Sequence, residues 1–133
     1  LYGNHVVIEV TERQSQVQAS DDHYFKQAFQ KIQALGFKLA LDDVGSGGHS
    51  LDFVRRHLDM ISCIKLSLLI FKGLDQKTTK LFIGAWASFA SACGLDLVLE
   101  AVPNLALCAQ FTGRDHILIQ ANVLQKPLLL NEL

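Results

Sequence analysis

Polar side chains that could together form a metal-dependent site lie at or near the end of each of five apolar segments. These residues are Glu9, Asp42, Asp43, Lys65, Glu100 and Gln120. The apolar segments are short and rich in branched residues, which is typical of buried β-strands. Because the carboxyl ends of parallel strands face one common site, we expect these side chains to converge. Four carboxylates in one place repel each other unless a cation neutralises them, so the pattern predicts a cation site.

The donor atoms indicate which cation this would be. Carboxylate and amide oxygens suit Mg²⁺, Mn²⁺ or Ca²⁺ rather than zinc. The adjacent Asp42 and Asp43 can bridge two such ions about 3.5–4 Å apart, an arrangement that supports metal-assisted phosphoester hydrolysis. Lys65 can then stabilise a phosphate or orient the attacking water.

Simpler interpretations of the same residues stay open. A charged residue at a strand end is often just the place where the chain meets water. Two aspartates and a lysine on a parallel sheet also resemble a phospho-accepting receiver domain, but that site needs a further aspartate where Lys65 stands. The Gly/Ser segment 44–50 is better interpreted as a tight turn than as a phosphate cradle. The five histidines lack ligand spacing, and we interpret them as ordinary surface or core residues.

Strands and helices alternate along the chain. Strands are predicted at 5–10, 37–42, 61–66, 95–102 and 116–121, and helices at 21–35, 50–58, 76–93 and 104–112, followed by a helix or tail at 126–133. Near-continuous apolar strands alternating with helices indicate an α/β fold with a parallel sheet.

Two of the predicted helices have a clear apolar face. In the first, this face contains Phe25, Phe29, Ile32 and Leu35, and Gly36 is the predicted stop. The face of the long helix contains Leu81, Phe82, Ala85, Trp86 and Phe89. We interpret its aromatic residues as core rather than as a ligand platform.

Composition narrows the class of protein. A chain of 133 residues is expected to form one domain, and a net charge of −1 gives no electrostatic reason to bind a nucleic acid polymer or an anionic membrane. The longest apolar stretches are interrupted by Gly, Ser and Asp, so no membrane span is indicated. Three cysteines, an odd number, favour free thiols in a reducing cytoplasm.

Five motifs in order resemble those of the EAL domain, the family of bacterial cyclic di-GMP phosphodiesterases and their inactive relatives. They are EVTE (9–12), LDDVGSGGHSL (41–51), IKLS (64–67), LEAV (99–102) and QANVLQKPL (120–128). The family versions read approximately E-x-T-E, L-D-D-F-G-T-G-Y-S-S-L, I-K-I-D, A-E-G-V-E and Q-G-Y-x-x-x-K-P. The resemblance implies a TIM-like barrel and hydrolysis of cyclic di-GMP to pGpG with Mg²⁺ or Mn²⁺.

The resemblance also implies roles for individual residues. Glu9, Asp42 and Asp43 match metal ligands of the family. Glu12 matches the glutamate that steadies the glycine-rich loop 44–50, which in the family helps to order the metals and the dimer surface.

Three further residues match positions that act on the substrate or on water. Lys65 matches the lysine that holds the nucleophilic water or a phosphate oxygen, and Glu100 matches a residue of the metal shell. Gln120 matches a glutamine that positions the water network.

The chain also departs from the family pattern. Ser67 replaces an aspartate, Ala101 a glycine and Pro103 a glutamate, and Q-G-Y has become Q-A-N. The E-A-L motif itself does not occur in these residues, and five predicted strands are fewer than the eight of a complete barrel.

We therefore expect residues 1–133 to be the carboxyl-terminal portion of a single EAL-type domain, a partial TIM-like barrel that is inactive on its own. The open sheet edges would be covered by a homodimer partner or by other segments of a longer parent protein. The alternative is a degenerate, non-catalytic EAL domain that acts as a cyclic di-GMP receptor or a protein-interaction module. A third possibility is a regulatory fragment whose strand-end acids bind nothing.

Overall fold

The computed structural model describes residues 6–11, 22–46 and 49–126, and these form a parallel α/β unit. The strands are β1 (Val7–Val10), β2 (Lys38–Leu41), β3 (Cys63–Ser67), β4 (Asp96–Glu100) and β5 (Ile117–Gln120). The helices are α1 (Asp22–Ala34), α2 (Leu51–Arg56), α3 (Gln76–Ala92) and α4 (Leu105–Phe111), with a 3₁₀ helix at Leu68–Phe71.

The five strands form one sheet in chain order, β1-β2-β3-β4-β5, and each pairs with its neighbour in parallel. A sheet with sequential order and helical crossovers is the arrangement of a TIM-type barrel. The predicted α/β class and the partial barrel are therefore confirmed. β1 and β5 lie at the two edges of this sheet.

One face of the sheet packs against the helices and contains the core. Its side chains, nearly or completely inaccessible, are Leu39, Leu41, Ile64, Leu66, Leu97 and Leu99. Phe29 of α1 and Ile83 of α3 complete this layer from the helical side. The strands are apolar at alternate positions, as expected when one face of a sheet is buried.

The opposite face carries the polar strand residues. Successive side chains of a strand point to opposite faces, so Lys65 and Ser67 of β3 lie on the face opposite Ile64 and Leu66. In the register of the sheet Ser67 pairs with Glu100, and Glu100 pairs with Gln120. The polar ends of neighbouring strands are thus brought to one side of the sheet.

The apolar face of α3 differs from the prediction. The buried residues are Ile83 and Ala90, whereas Leu81 is exposed and Phe82 is half exposed. Phe82 stacks on Phe71 of the 3₁₀ helix, with ring centroids 5.4 Å apart. The prediction of Phe82 as a core residue was wrong, because the side of α3 that packs against the core is formed by Ile83, Trp86 and Ala90.

The apolar face of α1 is shorter than predicted. Phe25 and Phe29 are buried, but Leu35 is exposed because the helix ends at Ala34. Gly36 follows with φ of 83°, a left-handed conformation that favours glycine and turns the chain into β2.

Two predicted features lie outside the described residues, namely Glu12 and all but the first residue of the helix or tail at 126–133. Among the residues described, no helix is both long and apolar enough to cross a membrane.

Candidate metal site

Asp42 and Asp43 are placed by the end of β2. The Asp42 backbone N–H donates to the Val10 carbonyl over 3.0 Å, which continues the pairing of β1 with β2. Asp43 then has φ of 50°, an uncommon left-handed conformation for a residue with a side chain. Its N–H donates to Oδ1 of Asp42 over 3.0 Å, and its carbonyl accepts from the Ser46 hydroxyl over 2.8 Å. A strained turn therefore sets the orientation of the two carboxylates relative to each other.

Lys65 lies at the centre of the polar strand ends. Its side chain is only 5% exposed, and its ammonium Nζ donates to Oε1 of Glu9 and is paired with Oε1 of Glu100, both at 2.9 Å. Oδ1 of Asp42 is 3.6 Å from the same nitrogen. One lysine thus joins three carboxylates from β1, β4 and the end of β2.

These contacts fix the charge of Lys65. Burial is the largest single influence and lowers its pKa, but hydrogen bonds to Glu100 and Glu9 and the nearby negative charges outweigh it. The net result is a pKa raised above its usual value, so Lys65 is charged at neutral pH. Burial also raises the pKa of Glu100; the ammonium of Lys65 opposes this shift and the charge of Asp42 adds to it.

Three carboxylates form a group that fits a hard divalent cation. Asp42, Asp43 and Glu100 each offer an oxygen, and these oxygens lie within 4.8 Å of one another. Carboxylate oxygens at such separations suit Mg²⁺, Mn²⁺ or Ca²⁺. With Glu9 and Lys65 included, the group has a net charge of about −3 when all carboxyls are ionised, which favours a dication.

The other predicted site residues lie around this group. Glu9, predicted as a metal ligand, is bound to Lys65. Gln120 is exposed and lies beside Glu100 in the register of β4 and β5. Ser67, which replaces the family's aspartate, is buried on the other side of Glu100. The role of Glu12 stays a prediction.

His49 is a contact that the sequence did not single out. Its ring is fully buried, and Nδ1 lies 2.5 Å from the carbonyl oxygen of Asp42. Sequence reasoning could not separate it from the other four histidines, because the contact joins residues seven positions apart that no local pattern pairs.

Comparisons with known proteins identify the family of the chain. The sequence model of the EAL domain matches residues 1–112. The chain belongs to the EAL domain family. No curated protein matches it by sequence.

Solved EAL structures have the same fold. The EAL enzyme Bd1971, in its cAMP- and cyclic di-GMP-bound form, has a TM-score of 0.74 and 22% identity over 99% of this chain and 34% of its own. Klebsiella pneumoniae BlrP1, in a manganese and cyclic di-GMP complex, has a TM-score of 0.73 and 24% identity over 92% of this chain and 30% of its own.

The EAL domain protein of Listeria monocytogenes has a TM-score of 0.67 and 20% identity over 95% of this chain and 61% of its own. This chain therefore spans about a third of Bd1971 and BlrP1 and less than two thirds of the Listeria protein.

Proposed function

We propose that residues 1–133 are the carboxyl-terminal portion of an EAL domain that binds cyclic di-GMP through divalent cations and, in the intact domain, hydrolyses it to pGpG. The observation that carries this proposal is the convergence of Asp42, Asp43 and Glu100 on one point, with Lys65 beside them. The substrate is inferred from family membership, and the solved structures of Bd1971 and BlrP1 named above are complexes with cyclic di-GMP.

The metal would be held by Asp42, Asp43 and Glu100, with Glu9 next to them, and we propose Mg²⁺ or Mn²⁺. When bound, such ions polarise phosphoryl oxygens and lower the pKa of water. Lys65 has two roles of its own. It offsets part of the acidic charge, and its permanently charged ammonium can contact a phosphate oxygen. The amide of Gln120, next to Glu100, can orient water by donating and accepting hydrogen bonds.

A cavity lies near the carboxyl ends of β3 and β4, and the proposed metal ligands are not among its lining residues. This cavity, of about 400 Å³, borders Ala101, the residue after Glu100. Its polar lining includes Lys72, Gln76 and Asn104. A volume of this size is within the range of small-molecule sites, roughly 300–1,000 Å³.

The chain on its own is expected to be inactive. Five strands lie in the described sheet, whereas a closed TIM-type barrel has eight, and the E-A-L motif is not in the sequence. Ligands from the remaining strands would be needed to complete the coordination of the cation.

A second function, a non-catalytic cyclic di-GMP receptor or protein-interaction module, is favoured by two substitutions. Ser67 removes a carboxylate next to Glu100 in the sheet. Ala101 has φ of 52°, so a residue with a side chain occupies a left-handed position where the family pattern has glycine. Both changes lie beside the proposed metal group and weaken the case for catalysis more than the case for binding.

We also propose a cytoplasmic location. Cys63, Cys93 and Cys108 are all free thiols, and Cys63 and Cys108 are buried, as expected for structural cysteines in a reducing compartment.

The deciding experiment uses the protein in its complete natural length. It is incubated with cyclic di-GMP and Mg²⁺ or Mn²⁺, and pGpG release is followed by chromatography. Asp42→Asn is expected to reduce turnover by at least about a hundredfold, because it removes one proposed ligand charge. The matched control is Asp96→Asn, at the opposite end of β4, where the carboxylate is paired with His116 at 3.1 Å. Binding without turnover would support the receptor, and the absence of both binding and turnover would reject the enzyme and the receptor.

A further inference from the structure

His49 connects the proposed metal ligands to the hydrophobic core. Its imidazole is completely buried and stacks on Phe53 of α2, with ring centroids 5.2 Å apart and planes 29° apart. Phe53 in turn packs edge-to-face against Phe25 of α1 at 5.7 Å. The ring is therefore held on one side by an aromatic cluster formed by Phe25 of α1 and Phe53 of α2.

The other side of the ring holds the backbone of Asp42. A main-chain carbonyl can only accept a hydrogen bond, so Nδ1 of His49 carries the proton and donates to the Asp42 oxygen over 2.5 Å. In that tautomer Nε2 is an acceptor, and it is buried without a hydrogen-bond partner among the described residues. An apolar ring would avoid this unsatisfied nitrogen, so the polar contribution of His49 is its bond to Asp42.

The backbone of His49 adds a second link. Its carbonyl accepts the N–H of Gly45 over 3.0 Å, which joins the start and end of the loop that follows the two aspartates. The side chain and the main chain of one residue thus hold Asp42 and Gly45, on either side of Asp43.

We propose that His49 is a positioning residue that sets the place of the Asp42–Asp43 pair. The inference deepens the proposed function, since the group that His49 positions is the proposed metal group. Because His49 is fully buried, its proposed role is to fix the backbone from which both carboxylates project, not to bind substrate or cation itself. Groups that orient metal ligands in this way commonly change metal affinity when they are replaced.

The test compares three variants of the full chain by amide hydrogen exchange. His49→Leu keeps an apolar side chain of similar size but has no donor. His49→Asn leaves a smaller side chain whose amide nitrogen, like Nδ1, is attached to Cγ and can donate to Asp42. The matched control is His57→Leu, because His57 is also fully buried and packs against Phe53 with centroids 4.3 Å apart, but its Nδ1 binds the Phe53 carbonyl.

In His49→Leu, the amides of Gly45 and Asp43 are expected to exchange at least about tenfold faster than in the wild type, with strand amides much less affected. His49→Asn is expected to restore slow exchange even though its smaller side chain lowers the melting temperature. His57→Leu is expected to lower the melting temperature without accelerating Gly45. If His49→Leu does not fold, His49→Met makes the same comparison with a more adaptable side chain.

Unchanged exchange of Gly45 in His49→Leu, or equal acceleration in His57→Leu, would overturn the positioning role. Mn²⁺ binding by calorimetry separates this inference from the proposed function. Weakening of about tenfold or more in His49→Leu, with recovery in His49→Asn, is expected. If the wild type binds no Mn²⁺, the proposed metal site fails in the chain tested, and the exchange data alone decide the role of His49.

Discussion

Lys65 is the one positive charge paired with the strand-end carboxylates among the residues that the structure describes. Its ammonium is 2.9 Å from Glu9 and from Glu100, which lie on strands far apart in sequence. A lysine in this position can stabilise the fold only while it is charged and paired. Lys65 is thus both a proposed contributor to phosphate binding and a structural counter-ion in the described fold.

Lys65→Met is expected to lower the free energy of unfolding by about 2–3 kcal/mol at neutral pH. Removing one partner of a fully buried ion pair costs roughly 3–5 kcal/mol. The expected effect here is smaller because Glu9 is partly exposed. Mg²⁺ or Mn²⁺ is expected to restore part of the loss, since a dication can neutralise the same carboxylates. Urea unfolding with and without the metal measures both effects.

Lys38→Met is the control for Lys65→Met. Lys38 starts β2 and is exposed, so its removal is expected to change stability by less than about 0.5 kcal/mol. Equal stability of Lys65→Met and the wild type would show that Lys65 does not act as the counter-ion.

The thiol of Cys63 is expected to make the stability of the fold depend on pH in the alkaline range. Burial, followed by the charge of Asp96, raises the pKa of its thiol from 9.0 to about 11. Between these values the folded chain keeps a proton that the unfolded chain has released, so this stability is present below pH 9 and is lost as the pH rises toward 11. Between pH 8 and 10.5, the free energy of unfolding of the wild type is expected to fall by about 1–2 kcal/mol more than that of Cys63→Ala. Urea unfolding at the two pH values measures the difference. Cys93→Ala is the control, and an identical pH slope in Cys63→Ala would contradict the assignment.

At the site, the sequence predicted residue types better than contacts. The strand-end positions of Asp42, Lys65 and Glu100 follow from the parallel pattern. That Lys65 would bind Glu9 depends on the register of three strands, which no local pattern encodes. The contact between His49 and Asp42 depends on the path of a glycine-rich loop, where many backbone conformations have similar energy.

The loop that follows Asp42 and Asp43 contacts α3 at Gly45. Gly45 has φ of 85°, and a Cβ atom added there would lie 3.3 Å from Cζ2 of Trp86 and 3.7 Å from Cδ1 of Ile70. The loop therefore packs directly on α3, and its glycine is required by both backbone conformation and space. Trp86 acts here as a packing partner of the loop as well as of the core.

Gly45→Ala is expected to lower the free energy of unfolding by about 1–3 kcal/mol, because left-handed strain adds to the close contact with Trp86. Gly84→Ala is the matched control. Gly84 lies inside α3, and a Cβ added there would have no atom within 4 Å. The Gly84→Ala substitution is therefore expected to raise the free energy of unfolding by up to about 1 kcal/mol. Chemical unfolding of both variants measures the contrast. A neutral or stabilising Gly45→Ala would contradict the packing of the loop on α3.

The sequence predicted the strands correctly where successive core positions along the strand are buried. The sequence is apolar along β3 and at the core positions of β4, because helices cover the face of the sheet to which these side chains point. Both strands lie where the sequence predicted them. The 3₁₀ helix at Leu68–Phe71 was missed, since the apolar run of β3 continues into it without a break. The predicted apolar face of α3 contained too many residues. Leu81, for example, is exposed, and hydrophobicity alone does not separate such residues from core residues.

Among the described residues, the face of the sheet that carries the site is only partly covered. Val7 of β1 and Leu118 of β5 lie on this face and are 46% and 54% exposed. A groove of about 470 Å³ next to Leu118 is lined also by Val98, Ala121 and Leu124. Sheet edges and exposed apolar surface of this kind promote association.

The 133-residue chain is therefore expected to associate through this face and its open edges. Light scattering should give a mass above 14.7 kDa that rises with concentration. Leu118→Lys is expected to shift the chain toward the monomer, because a charge replaces apolar surface on the open face. Leu105→Lys is the control, since Leu105 is similarly exposed at 59% but begins α4, away from the sheet. A stable monomer at all concentrations, or equal effects of the two variants, would show that the open face does not drive association.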